Sequence, residues 1–503
     1  MRKQIRRFFS AVCFGMVLMG CILGLTPLQG DEYKAEWTDL DGYPYQAVWI
    51  GTSHIRNGII PQMLYNEYGL ETFSMATSAQ TSQHSLSILQ DLNYVGADPE
   101  VVILDVFSFL RPYTDTSKQY NQSLSSTYKE NLTDSEKQHM YMFSSANIRH
   151  MLESSPRKYL RILGEKELSV PIQYYFPLSY SHSQYLRMDR SNYEPLETCF
   201  SRHKNYTPRT DSLPLADPLA QPLPEEKRVT FNEQCKKILL QIFDFCKARN
   251  YKLLLTVFPY QVTIEERIVL KEVEQLAAQN GVNFLSMETI SEEAGIDWNT
   301  DFYDKGHTNY CGASKLTRFF GGYLKDTYEL EDRRETSNPE SPFLIHPKAY
   351  EISAVLDSFR YQPHSLKDYL EALTILDDSY LLLFTTGTLG GLDIRPEAAE
   401  ALRRLNIQLP QEIPPEGFAL MQAGTPSTVL AQSFNGSEPL YASVDQTSFR
   451  LSAYEGSIRV NHAIVSGDWQ SSTLVVYDRA AQCAVESISL NSEVDEPVGR
   501  LIW

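Results

Sequence analysis

The chain has 503 residues, with 45 lysines and arginines against 63 aspartates and glutamates, and a net charge of −18. So acidic a chain has no broad attraction to phosphate backbones, which argues against a nucleic-acid partner. Its apolar and charged fractions, 42% and 21%, are typical of globular proteins rather than disordered ones. The length exceeds one ordinary domain, so we expect two or three.

The N-terminus has the pattern of an export segment. Residues 1–7 are basic, and residues 8–28 are almost uncharged, apolar and about long enough to cross a bilayer as a helix. Residues 1–30 therefore predict a membrane anchor, with everything from Asp31 onward outside the cell. Two alternatives stay open, a cleaved signal peptide and a lipoprotein modified at Cys21, which ends a Leu-Met-Gly-Cys run. All three export the remainder.

Buried strands and amphipathic helices then alternate along the chain. Apolar runs predict the strands, and leucine spacing or flanking proline and glycine predict the helices. The strands are 45–50, 73–76, 101–106, 252–258 and 282–285, and the helices are 61–69, 82–95, 231–249 and 263–280. This alternation predicts an α/β domain over 31–330, with a parallel sheet covered on both faces. In such sheets the chemistry collects at the carboxyl ends of the strands.

Other stretches predict the domain organisation. Residues 113–230 are polar, tyrosine-rich and interrupted by prolines, so we expect an insertion that acts as a lid or substrate wall. Residues 331–344 are charged and contain prolines, which predicts a linker. Residues 345–503 are expected to form a smaller α/β module with strands at 380–385 and 473–477 and a helix at 396–405.

The cysteines and histidines suggest neither a disulfide framework nor a metal site. The seven cysteines are scattered without a C-x-x-C pair, and the histidines lack metal-ligand spacing. Cys235 and Cys246 lie three helical turns apart, as packing residues on one face would. We expect no metal and no cofactor.

Two short motifs suggest nucleophilic catalysis. Gly51-Thr-Ser53 ends the first predicted strand, and Asp304-Lys-Gly-His307 lies at the far end of the domain. A serine hydroxyl needs a base to take its proton, and the base needs a partner that orients it. Ser53 would be the nucleophile, His307 the general base and Asp304 its partner. Taken alone, Ser53 would more often be a turn residue than a nucleophile, and His307 would more often be a hydrogen-bonded loop histidine.

Neighbouring residues leave further alternatives open. His54 would point away from the site if the chain were extended there, which suits a structural or substrate-facing role. Asp301 competes with Asp304 as the partner of the histidine. His84, His182 and His203 have no partner pattern. The tyrosines of 174–206 suit either a sugar platform or simple packing.

These blocks resemble the SGNH (GDSL-like) hydrolase superfamily, in which the serine follows the first strand and the last block is D-x-x-H. The stretch from Asp304 to Thr317 is similar to that block in exported bacterial proteins that act on cell-surface polysaccharides. Over residues 45–327 the resemblance implies a three-layer, flavodoxin-like sheet domain with Ser53, Asp304 and His307 as its triad.

The chain departs from the family pattern at the oxyanion hole. No G-x-N-D block follows the third strand, and Ala79 stands where a glycine is usual. The remaining candidate donors are the backbone N–H groups of Ser53 and of Thr77, Ser78 and Ala79, with the Gln80 side chain replacing the asparagine.

Residues 345–503 resemble the interleukin-like EMT inducer domain, through the order of a YLLLF strand, an EALRRL helix and a late VVYD strand. Relatives of that module bind glycans or proteins, so the resemblance implies a binding role.

Together these features predict an exported serine esterase or O-acyltransferase acting on acyl (acetyl) esters of cell-surface polysaccharide or peptidoglycan. The alternative is a catalytically silent SGNH fold that binds surface glycan or scaffolds polysaccharide assembly. A third interpretation, a lipid ester at the membrane, has no motif behind it. The oligomeric state is left open.

Overall fold

The structure is a computed structural model. Residues 13–15, 17 and 18 are described, as are 43–76, 80, 82–92, 97–110, 204–224, 229–335, 341–344, 347–361, 365–386, 394–410, 416–434, 438–445, 447–461, 463–465, 471–479, 483–490 and 498–502. The chain divides into two compact units, Met1–Tyr350 and Glu351–Trp503.

The first unit is built on a five-stranded sheet in which every neighbouring pair of strands is parallel. Its order is β2-β1-β3-β4-β5, one of the two common orders of doubly wound α/β sheets. The predicted α/β class with a parallel sheet is therefore confirmed. The strands are β1 (Ala47–Gly51), β2 (Thr72–Ala76), β3 (Val101–Asp105), β4 (Lys252–Thr256) and β5 (Asn283–Leu285).

Continuous apolar strands arise because both faces of this sheet are covered. In β1, Val48 and Ile50 belong to one buried cluster, whereas Ala47 and Trp49 belong to another. Successive side chains of a strand point to opposite faces, so each cluster is the core on one side of the sheet. Each core stabilises the sheet by removing apolar surface from water.

The helices of the first unit supply the other half of each core. Helix α2 begins at Pro61 and is closed by Gly69, which has a φ of 72°, as the sequence predicts. The helices are α1 (Ser53–Gly58), α2 (Pro61–Tyr68), α3 (Ser82–Leu92), α4 (Phe107–Leu110), α5 (Glu233–Arg249), α6 (Ile264–Gln279), α7 (Met287–Glu293) and α8 (Tyr310–Tyr328).

The second unit has more β structure, and its sheets are antiparallel. A six-stranded sheet has the order β15-β14-β13-β6-β7-β8, and a four-stranded sheet has the order β12-β11-β10-β9. The helices are α9 (Ala349–Tyr361), α10 (Leu366–Ala372) and α11 (Pro396–Arg404). The strands are β6 (Tyr380–Thr385), β7 (Phe418–Gln422), β8 (Thr428–Ser433), β9 (Leu440–Val444), β10 (Thr447–Ser452), β11 (Ser457–Val460), β12 (Ala463–Ile464), β13 (Ser472–Asp478), β14 (Cys483–Leu490) and β15 (Val498–Ile502).

The segment predicted as a linker, 331–344, packs onto the first unit where it is described. Arg333 pairs with Glu71 at 3.1 Å, and the Phe343 ring stacks on Tyr65 with centroids 5.0 Å apart. Its charges thus belong to specific contacts rather than to a solvated connector.

The predicted membrane anchor, residues 8–28, lies outside the described residues except for residues 13–15, 17 and 18, and so does the alternative lipoprotein site at Cys21. Within the described part of the chain, no helix is long and apolar enough to cross a membrane.

Candidate functional site

Ser53 lies at the carboxyl edge of the sheet, where β1 turns directly into α1. The turn is tight because Gly51 has no side chain. A Cβ there would lie 2.6 Å from Asp105 Cβ and 2.8 Å from Ile55 Cδ1. Thr52 caps the helix through its side-chain oxygen, which accepts a hydrogen bond from the His54 N–H at 3.4 Å. The predicted strand-end serine is therefore presented at the start of a helix.

Asp304 and His307 belong to one closed loop, residues 302–308, which we call the His loop. Phe302 and Thr308 form an antiparallel bridge, and the Tyr303 N–H donates to the His307 carbonyl at 3.2 Å. Inside the loop, Asp304 Oδ1 accepts from the backbone N–H of Gly306 at 2.6 Å and of His307 at 2.8 Å. The three-residue spacing thus places carboxylate and imidazole side by side.

The three predicted residues form one hydrogen-bonded chain. Ser53 Oγ lies 2.7 Å from His307 Nε2, and His307 Nδ1 lies 2.9 Å from both carboxylate oxygens of Asp304. These residues are 254 and 3 positions apart in the sequence, so the sheet topology brings them together. The arrangement has the geometry of a nucleophile, a base and an orienting acid.

The electrostatics of Asp304 determine how the imidazole is oriented. Burial raises the pKa of the Asp304 carboxyl. Hydrogen bonds from His307 and the Gly306 N–H outweigh that effect, and the pKa lies below its usual value. The ionised carboxylate accepts the proton of His307 Nδ1. The lone pair of Nε2 then faces the Ser53 hydroxyl, as a general base requires.

A second carboxylate, Asp105, lies beneath the serine turn at the end of β3. It is fully buried, and Thr52 Oγ1 donates to its Oδ2 at 3.1 Å while the Phe107 N–H donates to its Oδ1 at 3.2 Å. The backbone N–H groups of Thr52 and Phe258 also donate to it. Burial raises the pKa of Asp105 to about 7 against the opposing effect of these hydrogen bonds. Asp105 thus ties the ends of β1, β3 and β4 together.

The condition under which His54 would point away from the site, an extended chain at Ser53, is not met. The chain at Ser53 is helical rather than extended, and the His54 ring therefore turns toward the His loop. Its centroid lies 5.4 Å from that of His307, 4.0 Å from that of Phe107 and 5.1 Å from that of Tyr260. His54 is almost fully buried, so it forms an aromatic wall beside the triad.

The alternative partner of the histidine, Asp301, has another role. It is buried, and its Oδ2 lies 2.7 Å from Lys315 Nζ and accepts from the Asp297 N–H at 2.7 Å. Asp301 therefore anchors the segment before the His loop to α8, and His307 is bound by Asp304 instead.

Most of the predicted oxyanion loop, Thr77, Ser78 and Ala79, lies outside the described residues. Gln80 is buried, and its Nε2 donates to Ser85 Oγ at 2.9 Å, which commits at least one amide hydrogen to α3. After β3, Phe107 packs its ring on that of His54, and the next residue is Ser108 rather than an asparagine.

Residues 204–221, part of the described end of the predicted insertion, run without helix or strand along the edge of the site. We call them the 204–221 segment. It contacts both elements that carry the triad, α1 and the His loop. The Thr207 N–H donates to the Arg56 carbonyl in α1 at 2.9 Å, and the Leu213 N–H donates to the Phe302 carbonyl at 2.7 Å. It therefore connects the serine helix to the His loop, which the sequence did not reveal.

The remaining candidates lie away from the triad or outside the described residues. Tyr206 is buried against Ile60 and Met63, so this member of the 174–206 tyrosines is a packing residue. His84 lies in α3, and His182 and His203 fall outside the described residues. The predicted packing of Cys235 and Cys246 is confirmed, since both belong to one buried cluster. Within the described ranges, no three acidic, histidine or cysteine side chains could hold a metal ion.

Comparison of the chain with family models and with curated proteins gave no match.

Proposed function

We propose that the chain is a serine esterase or O-acyltransferase of the SGNH type. The observation that carries this proposal is the Ser53–His307–Asp304 chain, with its contacts of 2.7 and 2.9 Å at the carboxyl edge of a parallel sheet. Ligands of doubly wound sheets bind at this edge, beside the first strand.

The geometry supports a two-step reaction. In the first step His307 Nε2 takes the proton of the Ser53 hydroxyl as its oxygen attacks an ester carbonyl. The tetrahedral intermediate then collapses, His307 gives its proton to the departing alcohol oxygen, and an acyl-Ser53 ester remains. In the second step a water or a sugar hydroxyl loses its proton to Nε2 and attacks the acyl carbonyl. The bond to Ser53 Oγ then breaks, His307 returns the proton to Oγ, and a carboxylic acid or a new sugar ester leaves.

The charge developing on the carbonyl oxygen requires donors. The backbone N–H groups of Ser53 and of Thr77, Ser78 and Ala79 remain our candidates, and Gln80 remains the candidate side chain. Hydrolysis and transfer use the same triad, so access of water and of an acceptor to the acyl-enzyme decides between them.

The substrate class extends the same proposal. We infer an O-acyl ester, such as acetyl, on a surface polysaccharide or peptidoglycan, presented to an enzyme exported by its N-terminal segment. We also infer that residues 345–503 are a glycan- or protein-binding module of the interleukin-like EMT inducer type. In support, Tyr441 and Tyr454 are about 70% exposed, and the Arg450 guanidinium lies 5.7 Å from the Tyr441 ring.

One observation favours a second candidate, a catalytically silent SGNH fold that binds glycan or scaffolds polysaccharide assembly. The residue that follows Phe107 is Ser108 rather than an asparagine, so the side-chain donor of the family pattern is missing there, and Phe107 packs its ring on His54 beside the site. The hydrogen-bonded triad favours the enzyme, because binding alone does not require a base aligned on a serine.

Labelling with a fluorophosphonate probe separates the two candidates. We expect the wild-type chain to react covalently, and Ser53→Ala and His307→Ala to lose the reaction. The two variants remove the nucleophile and the base, each of which contributes several orders of magnitude to rate. A folded wild-type protein that does not react would favour the silent fold.

A further inference from the structure

The ring of Tyr303 lies against the imidazole of His307. The two rings are nearly parallel, with an interplanar angle of 10° and centroids 5.5 Å apart. The backbone imposes this proximity, because the Tyr303 N–H bonds to the His307 carbonyl across the His loop. Residues that face each other across such a pair hold their side chains on the same side.

The tyrosine is connected in turn to the serine helix. Its hydroxyl donates to Asn57 Oδ1 at 3.4 Å, and Asn57 lies in α1, four residues after Ser53. The Asn57 side-chain amide donates to the Thr207 carbonyl at 3.0 Å. The backbone carbonyl of Asn57 accepts from the Thr308 hydroxyl at 3.3 Å. Asn57 therefore joins α1, the His loop and the 204–221 segment at one point.

The 204–221 segment also reaches the Tyr303 ring directly. The guanidinium carbon of Arg209 lies 5.5 Å from the ring centroid, within the range of a cation–π contact. Arg209 is held there by its backbone, since its carbonyl accepts from the Tyr310 N–H at the start of α8. Tyr303 thus has contacts to Arg209, Asn57 and His307.

The imidazole needs such support because the loop that carries it is open to solvent. The side chains of His307 and Asp304 are 22% and 46% exposed. Both hydrogen bonds of the imidazole lie in the ring plane, so rotation of the ring breaks the contact with Ser53. A parallel neighbouring ring resists that rotation, and aromatic pairs contribute up to about tenfold to the population of the aligned state.

We propose that Tyr303 is a positioning residue that holds the His307 ring in the plane joining Asp304 to Ser53, and that Asn57 holds Tyr303. This inference rests on the proposed function, since it concerns the same base. It concerns the alignment of the imidazole and not contact with substrate.

The test compares Tyr303→Phe, Tyr303→Leu and Asn57→Ala with the wild type in the full chain. We expect Tyr303→Leu to lower the rate constant of fluorophosphonate labelling and the kcat for an aryl acetate about tenfold, with KM unchanged. Tyr303→Phe retains the ring and should lose no more than about threefold. Asn57→Ala removes the acceptor of the Tyr303 hydroxyl and the amide bond to the Thr207 carbonyl, and it should lower both rates about threefold.

Tyr323→Leu is the matched control, because Tyr323 is a half-buried aromatic of α8 packed on Phe319. It should lower the melting temperature as Tyr303→Leu does, without changing the labelling rate. Wild-type rates in Tyr303→Leu, or a raised KM at unchanged kcat, would overturn the positioning role alone. If Tyr303→Leu does not fold, a wild-type rate in Asn57→Ala overturns it. An unreactive wild-type protein would overturn the proposed function and this inference together.

Discussion

The buried Asp105 carboxyl makes the stability of the first unit depend on pH. Its pKa is raised from 3.8 to about 7 by burial, so the folded state binds this proton more tightly than the unfolded state does. Ionisation of Asp105 therefore does not change the free energy of unfolding below pH 4, and it lowers that free energy increasingly as the pH rises toward 7. Between pH 5 and pH 8, linkage with these two pKa values gives a loss of about 2–3 kcal/mol.

Asp105→Asn removes this titration while keeping the size of the side chain. At pH 5 Asp105 is mostly protonated in the folded protein, so the difference in free energy of unfolding between the variant and the wild type reflects the substitution itself. On moving to pH 8, we expect the free energy of unfolding of the variant to rise by about 2–3 kcal/mol relative to the wild type.

Amide hydrogen exchange of peptides covering Val101–Asp105 measures this quantity in the first unit alone, with both proteins compared at each pH. A difference between the two proteins that is the same at pH 5 and pH 8 would refute the reasoning. It would show that the four hydrogen bonds to Asp105 offset the cost of burying its charge.

Three other substitutions test the elements around the triad. Gly51→Ala places a methyl group against Asp105 and should lower the free energy of unfolding by about 1–3 kcal/mol in urea titrations. An unchanged free energy of unfolding would show that the turn can widen and would contradict this expectation. Asp304→Asn should lower kcat about 10⁴-fold in a folded protein, because the amide favours the wrong imidazole tautomer. A loss of kcat under tenfold in steady-state kinetics would contradict the role of Asp304 in orienting the imidazole. Lys315→Met leaves the buried Asp301 carboxylate without its ion-pair partner and should lower the free energy of unfolding by about 2 kcal/mol in the same titration. The loss is moderate because the Lys315 ammonium is partly exposed to solvent. The labelling rate of this variant with the probe should match the wild type, and a reduced rate would link Asp301 to catalysis.

Local patterns were sufficient to predict the sheet and two members of the triad. Strands such as β1 and β3 are visible because each is a short apolar run buried on both faces, whereas β5 is only partly buried. Asp304 and His307 are visible because they lie three positions apart in one loop. The serine needed both kinds of signal, a strand end and a distant partner. These features depend on neighbours in sequence or on the order of the strands.

The residues that sequence reasoning missed act through contacts between distant segments. Asp105 had a faint signal, an acid at the end of the apolar run VVILD, but its bond to Thr52 exists only when β1 and β3 pair. The position of His54 depended on where α1 begins, a boundary that propensity does not determine. The 204–221 segment has no periodic pattern, because its backbone bonds to other elements rather than to itself.

The small antiparallel sheet of the second unit was missed for a different reason. Along β9 the side chains alternate between exposed and half-buried positions, from Leu440 to Val444. Short strands with one solvated face give a weaker sequence signal than the continuous runs of a parallel sheet. By contrast, the strand at 380–385 is a continuous apolar run, and the helix at Pro396 begins with a proline, so both can be predicted.

The most direct test of the account is to trap the acyl group. The full chain is mixed with an aryl acetate, quenched in acid within the first turnover, digested and mapped by mass spectrometry. We predict an acetyl group on Ser53 in the wild type, and none there in His307→Ala. A wild-type protein that carries no acetyl group on Ser53, or carries it only on another residue, would contradict the assignment of Ser53 as an activated nucleophile.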